Sequence, residues 1–168
     1  MSGGLFLPAE GDTLALGRVM ARTLPQGWRE PFALLRAGLG SGKTTLTRGF
    51  VQALPGGHLA EVASPSFNLA NVYPTSPVVV HIDLYRLGEG VMDESLEEML
   101  DEAPGPHGRV VLVEWAEHLP ERLKPRDRLE VGLSALGGGR EARFEAHGPR
   151  AAAWLQDILS TYSQSGKS

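Results

Sequence analysis

The fold is decided by the stretch Leu34-Leu35-Arg36-Ala37-Gly38-Leu39-Gly40-Ser41-Gly42-Lys43-Thr44-Thr45. An apolar run leads into it and a helical pattern follows it, so it reads as a buried strand, a glycine-rich turn and the start of a helix. The end of the turn, Gly40-Ser41-Gly42-Lys43-Thr44, has the spacing of the phosphate-binding loop, or P-loop. The sequence therefore predicts that a polyphosphate binds where this strand meets this helix.

Each residue type in this loop suits a polyphosphate ligand. Glycines allow positive φ and a close approach of backbone N–H groups, and the first N–H groups of the helix face the same anion. The ammonium group of Lys43 can reach the β and γ phosphates, and the Thr44 hydroxyl can ligate Mg²⁺. The chain has thirteen arginines and only three lysines, so the lysine at this point is distinctive. The predicted phosphate-binding residues are Gly40, Ser41, Gly42, Lys43, Thr44 and Thr45.

Length and composition favour a single domain outside the membrane. The chain has 168 residues, a net charge of −4 and no cysteine. These values suit one domain with a full core, exclude disulfides and thiolate metal sites, and give no overall attraction to nucleic acid. No run approaches the roughly 20 apolar residues that span a bilayer, and the N-terminus lacks a signal-peptide pattern. We expect a cytoplasmic protein with a P-loop domain over residues 1–162 and a frayed tail over residues 163–168.

Two further apolar runs each end in an acid. They are Val78-Val79-Val80-His81-Ile82-Asp83 and Arg109-Val110-Val111-Leu112-Val113-Glu114. Such runs are typical of interior strands that are buried on both faces. Alternation with a period of two over residues 129–133 and 142–146, around three glycines, predicts an antiparallel hairpin, and Asp12 is the predicted N-cap of the first helix. The predicted fold class is α/β: a single three-layer domain of the P-loop NTPase type, with a mixed sheet and a C-terminal hairpin.

The two acids mark the second half of the predicted site. Open α/β sheets bind ligands beyond the carboxyl ends of their strands, where Asp83 and Glu114 stand. Either acid can supply the Walker B carboxylate that helps to hold Mg²⁺. Ser64 and Ser66 lie in a polar loop that can sense the γ-phosphate. The five histidines lack metal-ligand spacing, and Arg140 can either touch the nucleotide or be a solvated strand charge.

Beyond these motifs, the sequence resembles the TsaE family of bacterial P-loop ATPases, which are required for threonylcarbamoyladenosine synthesis on tRNA. The stretches that carry the resemblance are Gly40-Ser41-Gly42-Lys43-Thr44-Thr45-Leu46-Thr47-Arg48-Gly49-Phe50, Ser64-Pro65-Ser66-Phe67-Asn68-Leu69, His81-Ile82-Asp83-Leu84-Tyr85-Arg86-Leu87 and Leu112-Val113-Glu114-Trp115. They occur in order and extend over most of the chain. The last two stretches are much more specific than the P-loop.

The resemblance implies a role for each matching residue. Lys43 and the loop amides bind the phosphates of ATP or ADP, and Thr44 and Glu114 hold Mg²⁺. Asp83 acts in hydrolysis or supports the metal through water, and Ser66 matches a threonine of the family's switch loop. We therefore expect Asp83, Lys43 and Ser66 to be the catalytic residues.

The resemblance also implies what surrounds the nucleotide and what the protein binds. Residues near Glu10 and Gly139 border the nucleotide, and Trp115 lies beside the site. The implied partners are the TsaD and TsaB proteins, through which the chain would act on tRNA indirectly. Two departures from the family pattern fall in the loop, where Ala37 replaces a glycine and Gly38 replaces an aspartate. Ser66 replaces a threonine but keeps the hydroxyl.

A P-loop kinase for a small molecule or a nucleotide is the alternative. Such a kinase needs an acceptor pocket and usually an arginine-rich lid, which the basic residues of segment 122–128 can imitate. That segment is short and runs directly into a predicted strand. A GTPase is disfavoured because the chain has no Asn-Lys-x-Asp motif, so we expect ATP or ADP to bind better than GTP.

Overall fold

The structure is a computed structural model that describes residues 1–37, 42–65, 69–87 and 93–166. In chain order the strands and helices are β1 Ser2–Leu7, α1 Glu10–Arg22, β2 Phe32–Ala37, α2 Lys43–Ala53, β3 Ala70–Tyr73, β4 Val78–Asp83, α3 Glu94–Asp101, β5 Arg109–Glu114, β6 Arg128–Leu136, β7 Gly139–His147 and α4 Pro149–Ser165. Short 3₁₀ helices cover Gly57–Leu59, Ala116–His118 and Glu121–Leu123. None of the described helices is long and apolar enough to cross a membrane.

The strands form one mixed sheet in the order β1-β7-β6-β2-β5-β4-β3. Its centre is parallel, because β2 pairs in parallel with β5 and β6, and β4 pairs in parallel with β5. The pairs at the two edges are antiparallel. This arrangement confirms the predicted α/β class. It also places the C-terminal ends of the parallel strands β2, β4 and β5 side by side, at the same end of the sheet.

The central strands β2, β4 and β5 are covered on both faces, which explains their unbroken apolar runs. One face packs against α1, α2 and α4 through fully buried side chains such as Leu16, Phe50 and Trp154. The other face forms a smaller core in which Leu34 and Val113 meet Leu96 of α3. The central strands therefore form the middle layer of a three-layer arrangement, and β2 leads into the predicted P-loop.

Helices α1 and α2 touch through their backbones. A Cβ atom added at Gly17 would lie 2.1 Å from the carbonyl oxygen of Leu46, and one added at Gly49 would lie 2.1 Å from that of Leu14. Any side chain at either position would force the helices apart. The two glycines therefore fix the position of α2, the helix that begins at Lys43.

The predicted hairpin is present and is longer than the alternation suggested. Strands β6 and β7 are joined by Gly137 and Gly138, whose φ angles are 54° and 83°. Positive φ at both turn residues is the requirement of a two-residue type I′ turn, which glycine meets without strain. β1 adds to the free edge of β7 in antiparallel register, and so completes this side of the sheet.

Two boundaries differ from the sequence predictions. Asp12 is not the N-cap of α1: Ala9 takes that place, and the backbone N–H of Ala9 donates to Asp12 Oδ2 at 2.9 Å. The acid thus caps the helix from its third residue rather than from the N-cap position. At the other end of the chain, α4 continues through Ser165, so residues 163–165 of the predicted tail belong to this helix.

Candidate functional site

The site lies at the carboxyl edge of the parallel strands, where α2 begins. Gly42 precedes this helix with φ at 99°, as the glycine-rich turn requires. A Cβ atom at Gly42 would lie 3.3 Å from Arg140 Nε and 3.3 Å from Thr13 Cγ2. Arg140 of β7 therefore lies against the loop glycine. Two predicted phosphate ligands, Gly40 and Ser41, are outside the described residues.

The predicted metal ligands Thr44 and Glu114 are close together. Thr44 Oγ1 lies 3.4 Å from Glu114 Oε1, although these residues are 70 positions apart in the sequence. Glu114 ends β5 with its side chain 2% exposed, and Thr44 is the second residue of α2. The same threonine hydroxyl lies 2.8 Å from Ser64 Oγ, a residue of the predicted switch loop. Ser66, the other predicted switch residue, is outside the described residues.

Asp83 stands beside Glu114 because the two residues are Cα partners at the ends of β4 and β5. Its Oδ1 accepts a hydrogen bond from the backbone N–H of Tyr85 at 2.9 Å. Burial raises the pKa of Asp83, and the nearby Glu114 charge acts in the same direction, while the Tyr85 N–H and the Lys43 ammonium oppose the shift. A carboxyl group with a raised pKa, next to the predicted phosphate-binding loop, is a candidate for proton transfer.

Lys43 is held in a largely buried position at the start of α2. Its Nζ lies 4.4 Å from the centre of the Trp115 ring, within the range of a cation–π contact. Burial lowers the pKa of Lys43, while the carboxylates of Glu114, Glu117 and Asp83 oppose this shift. The lysine therefore lies between an aromatic face and a group of acids, at the place where the sequence predicts a polyphosphate.

Trp115 reaches Lys43 through a rare backbone conformation. It follows β5 directly and has φ at 56°, in the left-handed region that non-glycine residues seldom adopt. Its ring also packs against those of Tyr85 and His118, with centroid distances of 5.0 and 5.9 Å. A non-glycine residue held in this conformation beside a candidate site is consistent with a functional constraint on the turn.

His81 is a residue of the site that sequence reasoning missed. It lies in β4, is completely buried, and its Nε2 is 3.1 Å from Glu114 Oε1. The available signal was a polar residue inside a run of β-branched side chains, two positions before the terminal acid. That signal indicates that His81 has a buried hydrogen-bond partner. It does not identify the partner, because Glu114 lies on a different strand that is distant in the sequence.

The two predicted nucleotide neighbours lie on elements that flank the loop. Glu10 begins α1, and its Oε1 accepts a hydrogen bond from Thr45 Oγ1 at 3.2 Å, which connects it to α2. Gly139 begins β7, directly before Arg140, and a Cβ atom there would lie 2.6 Å from the carbonyl oxygen of Leu7. Both positions are near the loop, and their contact with a nucleotide stays a prediction.

The donor set at the end of β5 fits a magnesium ion. Mg²⁺ prefers oxygen ligands and usually takes one or two from the protein, with the others from phosphates and water. Thr44 and Glu114 supply one hydroxyl and one carboxylate oxygen within 3.4 Å of each other. These two residues would hold the metal, with Asp83 next to them.

A second group of possible metal ligands lies on the open face of β6 and β7. Glu130, Glu145 and His147 have ligand atoms within 4.8 Å of one another, which their sequence spacing did not indicate. However, Glu130 already pairs with Arg36 at 3.1 Å and with Arg128 at 2.8 Å. Because these arginines offset the charge of Glu130, the group is best described as an ion-pair network on the sheet surface.

The chain is similar in sequence to one family of known proteins over most of its length. The profile of the family described as "Threonylcarbamoyl adenosine biosynthesis protein TsaE" matches residues 7–142 of the chain. The chain belongs to the TsaE family. A protein of that description from Streptomyces coelicolor is 40% identical over 126 residues, which cover 73% of this chain and 79% of the relative. One from Mycobacterium tuberculosis is 36% identical over 140 residues, covering 80% of each chain. The family predicted from the sequence is therefore confirmed.

A solved TsaE-like structure supports the same fold. The crystal structure of Bacillus subtilis YdiB superposes with a TM-score of 0.74 and covers 96% of both chains, at 26% sequence identity. Because 96% of each chain is covered, the agreement is not confined to the region of the predicted P-loop. The α/β architecture described above is thus shared with a solved protein.

Proposed function

We propose that this TsaE-family protein binds and hydrolyses ATP with Mg²⁺, and that it thereby drives or regulates threonylcarbamoyladenosine synthesis on tRNA together with TsaD and TsaB. The observation that carries the proposal is the meeting of Thr44 and Glu114 at the start of α2. A hydroxyl and a buried carboxylate in this place, directly after a P-loop, are the protein's usual contribution to a Mg–nucleotide site. The names of the relatives supply the biological process.

The residues at this edge divide the work of phosphate binding. Lys43 would leave the Trp115 ring and pair with the β and γ phosphates, because charge-assisted bonds to phosphate are stronger than a cation–π contact. Mg²⁺, when bound, would neutralise phosphate charge and orient the γ-phosphate for attack. Asp83 would orient the attacking water or accept its proton, since its raised pKa suits transient protonation.

The contact between Thr44 and Ser64 connects nucleotide binding to the adjoining loop. The Thr44 hydroxyl lies 2.8 Å from that of Ser64, so ligation of Mg²⁺ by Thr44 would compete with this contact. Ser64 would then be released or rearranged when ATP binds. A loop with two arrangements biased by the nucleotide can present a different surface to a partner. On this view the isolated chain hydrolyses ATP slowly, and TsaD and TsaB complete or accelerate the cycle.

Reconstitution tests the proposal directly. Purified chain, TsaD, TsaB, tRNA, ATP and an activated donor of the threonylcarbamoyl group are combined, and both ATP consumption and modified adenosine are measured. We expect slow ATP hydrolysis by the isolated chain and faster hydrolysis with the partners. The Lys43→Ala variant should lose both ATP hydrolysis and the formation of modified adenosine. Modification that proceeds equally well with Lys43→Ala would refute the proposal. Phosphate transfer to an added small-molecule acceptor, without any response to the partners, would support the kinase alternative instead.

A further inference from the structure

We propose that His81 is a positioning residue of the metal site, which holds the Glu114 carboxylate in the orientation that faces Thr44. This inference rests on the proposed function, because it concerns how the same site is prepared for Mg²⁺. His81 would not touch the nucleotide or the metal. It would act through Glu114, by donating a hydrogen bond from Nε2.

The geometry of β4 and β5 creates this contact. His81 and Glu114 lie on neighbouring parallel strands, and His81 is the Cα partner of Leu112, two residues before Glu114. Their side chains therefore point to the same face of the sheet. His81 is completely buried and Glu114 is 2% exposed, so water has little access to the 3.1 Å contact between Nε2 and Oε1. A buried carboxylate needs such a donor, because its desolvation is costly otherwise.

The surroundings of the ring favour one tautomer. Within the described part of the chain, His81 Nδ1 is buried and has no hydrogen-bond partner. The ring lies beside Tyr73 at a centroid distance of 6.2 Å and an interplanar angle of 25°. A proton on Nε2 meets the Glu114 carboxylate, whereas a proton on Nδ1 would be a buried, unpaired donor. The Nε2–H tautomer is therefore the one that satisfies this site.

The same carboxylate oxygen faces both His81 and Thr44. Glu114 Oε1 lies 3.1 Å from His81 Nε2 and 3.4 Å from Thr44 Oγ1. A metal would bind a lone pair of the Thr44 oxygen, whereas His81 Nε2 is a fully buried donor to Glu114 that takes no part in metal binding. Groups that orient metal ligands in this way typically change metal affinity or activity by about 10–100-fold when they are lost.

Two substitutions separate the hydrogen bond from mere filling of space. His81→Leu fills the buried position without a donor, and His81→Gln places a side-chain N–H near the position of Nε2. Val79→Ala is the matched control, because Val79 is a fully buried residue of the same strand and face that packs in the core. It measures the effect of a purely structural loss in β4.

The first readout is nucleotide affinity, measured by calorimetric titration of ADP with Mg²⁺ and with a chelator in place of Mg²⁺. We expect His81→Leu to bind ADP like the wild type in chelator, but to require about 10–100-fold more Mg²⁺ to tighten binding. His81→Gln should recover most of this loss, and Val79→Ala should keep the wild-type Mg²⁺ requirement. An unchanged Mg²⁺ requirement in His81→Leu, or an equal loss of ADP affinity with and without Mg²⁺, would overturn the inference.

The second readout is the tautomer of His81 in the nucleotide-free protein, measured from its ring ¹⁵N chemical shifts. A proton on Nε2 is expected, and a proton on Nδ1 alone would contradict the proposed donor. This measurement does not depend on nucleotide binding. If wild-type protein failed to bind ADP in either condition, the proposed function itself would be refuted, together with the metal part of this inference. Failure confined to the His81 comparison would leave the proposed function intact.

Discussion

At the residue scale, the site holds three charged side chains in partly or fully buried positions, which costs stability. Lys43 is 7% exposed and Glu114 is 2% exposed, and each is close to the other's charge. Asp83 is next to Glu114, so two carboxylates share one edge of the sheet. Sites with function commonly retain such unfavourable arrangements, because the charges are needed by the ligand. The protein without nucleotide should therefore gain stability when one of the acids is neutralised.

Asp83→Asn should stabilise the nucleotide-free protein at neutral pH. Burial raises the pKa of Asp83 above its ordinary value of 3.8, so the folded protein keeps this proton to a higher pH than the unfolded chain. Stability consequently falls as pH rises from 3.8 through the raised value, and the full penalty persists above it. Asparagine removes the charge and keeps an oxygen that can accept from Tyr85 N–H.

Denaturant unfolding of wild type and Asp83→Asn at pH 7 and at pH 3.5 provides the measurement. The variant's advantage should be clear at pH 7 and should shrink at pH 3.5, where the folded protein holds the proton and most of the unfolded chains hold it too. A variant that is less stable than the wild type at pH 7 would show that the Asp83 charge is favourable in the folded protein.

Glu114→Gln should weaken the response to Mg²⁺ more than Asp83→Asn does. Glu114 Oε1 lies 3.4 Å from the Thr44 hydroxyl, whereas the Asp83 carboxylate accepts a hydrogen bond from the backbone N–H of Tyr85. We expect Glu114→Gln to raise the Mg²⁺ concentration for half-maximal ATP hydrolysis by at least about tenfold. The measurement is a Mg²⁺ titration of hydrolysis for both variants. If only Asp83→Asn raises the Mg²⁺ requirement, Asp83 rather than Glu114 is the metal ligand.

The sequence predicts the charged residues of this site better than their contacts. Asp83 and Glu114 are visible as acids at the ends of apolar runs, and Lys43 and Thr44 are visible in the loop motif. The contact of His81 with Glu114 depends on strand order and register, which local periodicity does not contain. The same limit applies to Ser64, because only the folded chain brings its hydroxyl to Thr44.

At the element scale, the position of α2 determines the geometry of the site. Lys43 and Thr44 are its first two residues, and its distance from α1 is set by backbone contacts at Gly17 and Gly49. The hydrophobic spacing of both helices is visible in the sequence. Their close approach is not, because a glycine within a helical pattern has several possible reasons, and the partner backbone is distant in the chain.

Gly17→Ala should destabilise the protein, whereas Gly11→Ala in the same helix should not. The new Cβ at residue 17 would lie 2.1 Å from the Leu46 carbonyl oxygen, while the position at residue 11 has nothing within 4 Å. We expect a loss of about 1–3 kcal/mol or more for Gly17→Ala, and a gain of up to about 0.5–1 kcal/mol for Gly11→Ala.

Chemical denaturation of the two variants measures these changes, and ADP titration measures their effect on the site. Gly17→Ala should also weaken ADP binding, because displacement of α2 moves Lys43 and Thr44. Equal stability of the two variants would mean that α1 and α2 can separate without cost, and that their contact does not fix the loop.

At the scale of the whole molecule, the candidate site joins elements that are far apart in the sequence. Glu10 of α1 contacts Thr45 of α2, Arg140 of β7 lies against Gly42, and Glu114 of β5 faces Thr44. The sequence predicts Glu10 as a member of this site only through the family resemblance, since Glu10 and Arg140 are 130 positions apart. A ligand bound there would lie among groups from β5, β7, α1 and α2.

Mg–ADP should therefore raise the thermal stability of the whole domain in a single transition. A ligand at 100 times its Kd stabilises the folded state by about 2.7 kcal/mol, which corresponds to a rise in Tm of roughly 5–10 °C for a domain of this size.

GDP at the same concentration should give a smaller rise, because the chain has no guanine-reading motif. Lys43→Ala should abolish the rise, while the variant still unfolds cooperatively without ligand. Lys124→Ala is its control, since it removes another lysine whose side chain is mostly covered (10% exposed) but which pairs with Glu121 outside the loop. Scanning calorimetry with each nucleotide measures the shift. An equal rise for wild type and Lys43→Ala would place the nucleotide elsewhere, and a rise confined to one of two separate transitions would show that the site stabilises only part of the fold.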